Sequence, residues 1–242
     1  MVNKSDVDQF NLTLQDSLHY MKGWSYYAQK KLFQSAQELS KVSQRSPFYE
    51  KSRFFTAYNH AYLSNTNIAQ SMLSELKLED QKLNSLRHFE KAGIALLERD
   101  YQKFDKEFAH VDTTFYAISE ESGKINQYAT DLRTHQPKSA FLAGLMSSII
   151  PGSGKIYAGK TGEGISSFLT VGGLGFVTWE NFRKRGPKDF KTILFGSIFT
   201  IFHIGNVYGT VFSVKLSEQE FNNEYDHKIL FNLHVPLRNV FN

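Results

Sequence analysis

From about Ser17 to Arg133 apolar residues return at helical spacing without strand-like alternation, which predicts a run of amphipathic helices. Residues 1–16 are polar and are read as a separate N-terminal segment. The pattern changes after Thr134-His-Gln-Pro-Lys138, a linker in which Pro137 disfavours helix at the residue before it. Three apolar runs follow: Ala140–Ile150 with 11 residues, Gly164–Trp179 with 16 and no charge, and Thr192–Val214 with 23. Only His203 and Tyr208 are ionisable in the last run. Residues 215–242 turn polar again. There Ile229, Phe231, Leu233 and Val235 alternate with other residues, which fits either a short strand or an interfacial segment.

Run length sets what each segment can do. At 1.5 Å per residue the third run reaches about 34 Å and the second about 24 Å, against a hydrocarbon core of roughly 30 Å. The third is long enough to cross a membrane, and the second is marginal. The first is short enough to be a re-entrant or interfacial piece, or the start of a crossing that continues through Tyr157. The expected fold is therefore all-α, with a helical N-terminal domain over 17–133 and a membrane-embedded helical region over 139–214.

Within 17–133 a period of 34 residues is visible. Gly23, Tyr26, Ser35, Leu39, Val42 and Pro47 fill the small, aromatic and terminal-proline positions of a tetratricopeptide unit. Adding 34 reaches Ala57, His60, Ala69, Leu73 and Leu76. A third unit from Leu86 to Val111 needs one or two inserted residues, with Gly93, Tyr101, Phe104 and Phe108 in the corresponding roles. Thr113–Arg133 reads as a capping helix that closes the last apolar face. Phe54, Phe55, Tyr58 and Tyr62 read as core of these units rather than as a ligand cage.

Ser147–Leu169 contains a literal Walker A match, Gly154-Lys-Ile-Tyr-Ala-Gly159-Lys160-Thr161. In a phosphate-binding loop the glycine-rich backbone donates to phosphates, the lysine reaches the outer ones and the Ser/Thr hydroxyl holds magnesium. That reading makes Gly154, Gly159, Lys160 and Thr161 nucleotide-binding residues of a small NTPase. Its context is missing: no apolar run after Thr161 ends in Asp, and Asp189 and Asp226 both lie in polar surroundings. The same glycines make a tight turn between apolar segments, with Tyr157 as an interfacial aromatic. The membrane reading is the better one.

Tyr157-Ala-Gly159-Lys-Thr-Gly162-Glu-Gly164, then Leu169-Thr-Val-Gly-Gly-Leu-Gly175 and Trp179, resembles the TM2-domain family, the resemblance covering Ser139 to about Asn181. Pro151-Gly-x-Gly154-x-x-Tyr157-x-Gly159, with Ser167-Phe168 beyond, is also similar to the C-terminal membrane region of bacterial tetratricopeptide proteins. The resemblance implies two membrane helices joined by a Gly/aromatic turn at Pro151, Gly152, Gly154, Tyr157, Gly159 and Gly164. Ser153, Lys155 and Glu180-Asn181 depart from the family pattern. The tetratricopeptide likeness implies an adaptor that binds a protein or peptide.

Charge and chemistry change this picture little. Residues 1–138 carry 18 Lys/Arg against 17 Asp/Glu, and 139–242 carry 10 against 7. Five of those ten cations lie in Arg183–Lys191, the signature of a cytoplasmic loop rather than a nucleic-acid face. The expected location is the bacterial inner membrane with 183–191 cytoplasmic and the side of the helical domain left open. Cysteine is absent, and Met1–Tyr20 has no apolar signal-peptide core. No histidine pair with metal-ligand spacing and no GxSxG or HExxH motif is present, so neither catalysis nor a cofactor or metal is expected. His203 and Asn206 lie mid-span, where polar groups are costly, and Gly205 and Gly209 form a small-xxx-small pair for close helix packing. The expected function is a membrane-anchored scaffold with the lipid bilayer and a protein or peptide as partners, a homo-oligomer being allowed. The alternatives are the NTPase and a component of a transport or channel complex.

Overall fold

The computed structural model describes residues 4–241, with side chains from Leu12 onward. All regular elements among the described residues are helices. Residues up to Thr134, together with those from Tyr225 onward, form one unit, and His135–Glu224 form another.

The first unit is built from three helix pairs and a single helix. These are α1 Lys4–Ala28 with α2 Leu32–Leu39, α3 Tyr49–Tyr62 with α4 Thr66–Glu75, α5 Gln81–Leu97 with α6 Tyr101–Phe108, and α7 Ser119–Thr134. Helix thus begins well inside the polar segment 1–16. Within each pair the chain reverses through one left-handed residue, Lys30, Ser64 or Arg99, spaced 34 and 35 apart. The next amide reaches back five residues each time: Lys31 to Tyr26 O, Asn65 to His60 O and Asp100 to Ala95 O, at 2.9, 2.8 and 2.9 Å. Such a 6→1 bond satisfies carbonyls that the helix end would orphan. Asp80 and Asp100 cap α5 and α6 through their carboxylates.

Counted from those turns, Gly23, Ala57 and Ala92 share one position, and so do Ser35, Ala69 and Phe104. All of them are buried. At Gly23 an added Cβ would stand 2.6 Å from Leu39, so the small residue is what lets α1 and α2 approach. The third pair is displaced by one residue, and Ala92 rather than Gly93 takes this place. A second likeness links the first and third pairs. His19 Nδ1 meets Glu38 at 2.8 Å, and His88 Nδ1 meets Glu107 at 2.7 Å. Both clasps tie the first helix of a pair to the second across 19 residues.

The C-terminal segment 215–241 is not a strand. It is the second half of α11 Phe190–Phe241, and from Tyr225 onward it packs on the first helices of the pairs. Ile229, Leu230, Leu233 and Leu237 are buried, at helical rather than alternating spacing. Leu233 fills the space over Gly93, where an added Cβ would lie 2.3 Å from its Cδ2. Arg99 pairs with Asp226 at 2.7 Å, Tyr225 donates to Asp131, and Lys51 Nζ donates to the Phe241 carbonyl at 2.8 Å.

The second unit contains α8 Ala140–Ile149, the short α9 Ser153–Tyr157, α10 Thr161–Arg185 and the first part of α11. Gly186, at φ +85°, opens the turn from α10 to α11. The two helices return antiparallel: Gly175 faces Phe199, and Gly196 faces Thr178. Gly144 of α8 abuts Val211 of α11. Ser147 bonds Thr210 at 3.0 Å in the same seam. His135 and the Lys138 amide, in the predicted linker, are both held by Glu218 at 2.7 and 3.1 Å. Among the described residues one helix, α11, is long and apolar enough to cross a membrane. α10 has the length without the apolar composition, and α8 is too short.

Candidate functional site

The glycine-rich segment of the second unit is a break between helices followed by a turn. α8 ends at Ile149, and Pro151-Gly152 reverses the chain into α9. Gly152 has φ +83°, and an added Cβ there would lie 2.0 Å from the Gly164 carbonyl oxygen. At Gly154 the Cβ would stand 1.9 Å from the Ala143 oxygen. Gly164 is equally hemmed in, by Ile156 and the Gly152 oxygen. Gly159, at φ +89°, turns the chain from α9 into α10. The Tyr157 hydroxyl accepts from the Ser139 amide at 3.3 Å.

These bonds decide the geometry of the Walker-like stretch. The Gly154 amide donates to Ser147 Oγ at 3.1 Å. The amides of Lys155 and Ile156 go to Gly152 O, Ala158 to Gly154 O, Gly159 to Ile156 O and Lys160 to Lys155 O. The stretch is helix, turn and helix, with its donors from 154 to 160 committed to the chain, whereas a phosphate cradle turns such donors outward. Lys160 stands before the first turn of α10, and Thr161 opens that helix.

The polar residues of the third apolar run are placed differently from one another. His203 Nε2 meets the Ser148 carbonyl of α8 at 3.1 Å, and its ring stacks on Phe199. Asn206 is buried, and neither of its side-chain amide atoms has a partner. Gly205 and Gly209 face open space, with nothing within 4 Å of an added Cβ. The close contacts in this unit come instead at Gly144, Gly152, Gly154, Gly164 and Gly175.

The first unit holds a separate aromatic pocket of about 440 Å³, lined by Tyr27, Lys30, Tyr58, Tyr62 and His234. His234 comes from the C-terminal helix, shares a hydrogen bond with the Tyr27 hydroxyl and stacks on Tyr58 at 5.1 Å. Burial pushes the Tyr27 phenol up to about 12 and raises Tyr58 as well. Burial, then Arg238, holds His234 below its ordinary value. Phe54, Phe55 and Tyr58 are buried, and Tyr62 stands exposed at the rim. His234 has no signal in the sequence, since the helix that carries it is recognisable only from its packing.

Glu90 on α5 is 1 % exposed, and its Oε1 has no partner. Burial lifts its carboxyl well above the ordinary 4.5. The folded chain therefore keeps a proton that the unfolded chain releases near pH 4.5. This residue's contribution to stability is full below that pH and is lost as pH rises toward the raised folded value. Glu90→Gln is expected to stabilise the protein at pH 7 and to flatten this part of the profile. Denaturant midpoints between pH 4 and 8 check it: parallel profiles for the two proteins would show that Glu90 is not held protonated.

Among the described residues no group of three or more His, Asp or Glu is placed to hold a metal. No family model, no curated protein and no solved structure matches the chain.

Proposed function

We propose that the chain is a membrane-anchored helical-repeat scaffold: a tetratricopeptide-like array of three helix pairs joined to a hairpin of α10 and α11 in the bilayer. The observation that carries the membrane half is where the apolar side chains point. In the most apolar window of α11 only 11 % is buried, whereas a core helix of a water-soluble domain buries most of such a window. Phe141 on α8, Phe176 and Trp179 on α10, and Ile201, Tyr208 and Phe212 on α11 are likewise exposed. A surface of this kind is stable in lipid and aggregates in water. The array half is supported by the 34- and 35-residue spacing of the left-handed turns and by the two His–Glu clasps.

A scaffold of this type binds through its helical faces. The face made by the first helices is filled by residues 225–241 of the chain itself, so a protein partner takes the outer faces. Arg183, Lys184, Arg185, Lys188 and Lys191 assign the α10–α11 turn to the cytoplasm by the positive-inside bias.

The test uses the absence of cysteine. Gly186→Cys and Ser217→Cys, each introduced singly into the full chain, are exposed in intact cells to an impermeant thiol reagent. Protection of position 186, with the protein recovered only in detergent, is the expected result. Labelling at 186 without labelling at 217 overturns the orientation. A monodisperse protein without detergent overturns the anchor.

A further inference from the structure

In the second unit, α9, α10 and α11 border an open cavity of about 420 Å³, lined by Lys155, Ser167 and Asn206 together with the exposed Ser166, Thr170 and Phe202. Lys155 is half-buried, and its ammonium donates to Ser167 Oγ at 2.9 Å. It makes no ion pair with any carboxylate among the described residues. Glu163, one turn before Ser167 on α10, does not line the cavity. Asn206, on the facing helix, is 8 % exposed, and neither its Nδ2 nor its Oδ1 has a partner.

A cation withdrawn from water is costly unless an opposite charge and hydrogen-bonding groups complete it. The cost grows where the surroundings are lipid, and intramembrane polar groups mark binding sites for that reason. Here the uncompensated groups line the same cavity and ask for the same complement. The ammonium needs negative charge. The Asn206 amide supplies a donor, and the hydroxyls of Ser166, Ser167 and Thr170 supply more. A second cation is excluded by Lys155, and a neutral amide would leave its charge uncancelled. An oxyanion with several acceptor oxygens satisfies the set.

We infer that this cavity is a binding site for a phosphate group, held by Lys155, Ser167 and Asn206. The inference rests on the membrane reading of this unit. Its size exceeds that of a bare phosphate ion and suits a phosphate ester, supplied either by a phospholipid headgroup or by a soluble phosphorylated compound. The site is distinct from the Walker-like motif, because Lys155 is not that motif's lysine and no backbone amide from 154 to 160 takes part.

The full-length protein in dodecylmaltoside, stripped of lipid, is offered dioleoyl phosphatidic acid, dioleoylglycerol with the same chains and no phosphate, or inorganic phosphate. Retained lipid is measured by mass spectrometry and thermal stability by tryptophan fluorescence. Phosphatidic acid is expected to be retained in preference to dioleoylglycerol. Lys155→Met and Asn206→Leu should each weaken retention by at least about tenfold, and Lys155→Arg should restore most of it. Lys184→Met with Lys188→Met, in the basic turn, should leave the Lys155-dependent part intact. Stabilisation by inorganic phosphate that Lys155→Met abolishes assigns the site to a soluble source; retention of phosphatidic acid against excess inorganic phosphate assigns it to lipid. Equal retention of phosphatidic acid and dioleoylglycerol together with no response to inorganic phosphate, or wild-type binding by both Lys155→Met and Asn206→Leu, overturns the proposal. The inorganic-phosphate arm can still be read if the protein proves soluble without detergent, so failure of the site and failure of the anchor are told apart.

Discussion

Leu233→Ala should destabilise the first unit by about 2–5 kcal/mol, the cost of emptying a core leucine site rather than trimming a tail. Leu233 is fully buried, and its methyl groups occupy the notch left by Gly93. Phe231→Ala, two residues away on the same helix and 64 % exposed, should cost under about 1 kcal/mol. The notch gives a second test. Gly93→Val puts a side chain where Leu233 stands, so it should be harmful alone and less harmful combined with Leu233→Ala. The two substitutions should couple by about 0.5–3 kcal/mol. Denaturant unfolding of the full chain, in a Trp179→Phe background, reports this through Trp24, whose ring meets Phe55 edge-on at 4.7 Å. Equal, small losses for Leu233→Ala and Phe231→Ala would show that the C-terminal helix is not part of this core.

The helices of the first unit are legible because each carries its own 3.6-residue pattern. In the third pair Ala92, one position before Gly93, takes the place that corresponds to Gly23 and Ala57. Gly93 looks like the small residue of a helix crossing, but its smallness serves Leu233, about 140 positions along the chain. The same distance hid the role of 225–241. Ile229, Phe231, Leu233 and Val235 alternate, yet the buried set is 229, 230, 233 and 237, a helical face that makes sense only against the other helices of the first unit. In the second unit the sequence marked His203 and Asn206 through the rarity of polar groups in apolar runs. It passed over Lys155, because inside a Walker match that residue occupies a variable position, and only the fold brings it opposite Asn206.

Gly154→Val should cost at least about 3 kcal/mol and leave little folded protein, whereas Lys160→Ala should leave stability nearly unchanged. The difference lies in what each residue touches. An added Cβ at Gly154 would meet the Ala143 carbonyl oxygen at 1.9 Å and Thr210 Cγ2 at 2.7 Å. The first is helix backbone, which cannot rotate aside as a side-chain tip can, so relief requires α8 and α9 to separate. That separation would break the Gly154 amide bond to Ser147 and disturb the Ser147–Thr210 bond in the seam with α11. Lys160, by contrast, only precedes α10 and makes no side-chain cap. In a nucleotide site both positions would matter, Gly154 as the first glycine of the motif and Lys160 as the residue that holds the phosphates, so Lys160→Ala is the substitution on which the two accounts differ. Size-exclusion recovery in detergent, together with equilibrium binding of ATP and GTP with and without magnesium, separates these accounts. Micromolar, magnesium-dependent binding abolished by Lys160→Ala would make the segment a phosphate loop. Loss of folded protein in Gly154→Val, with no nucleotide bound by the wild type, would make it a packing turn whose glycines let three helix backbones approach.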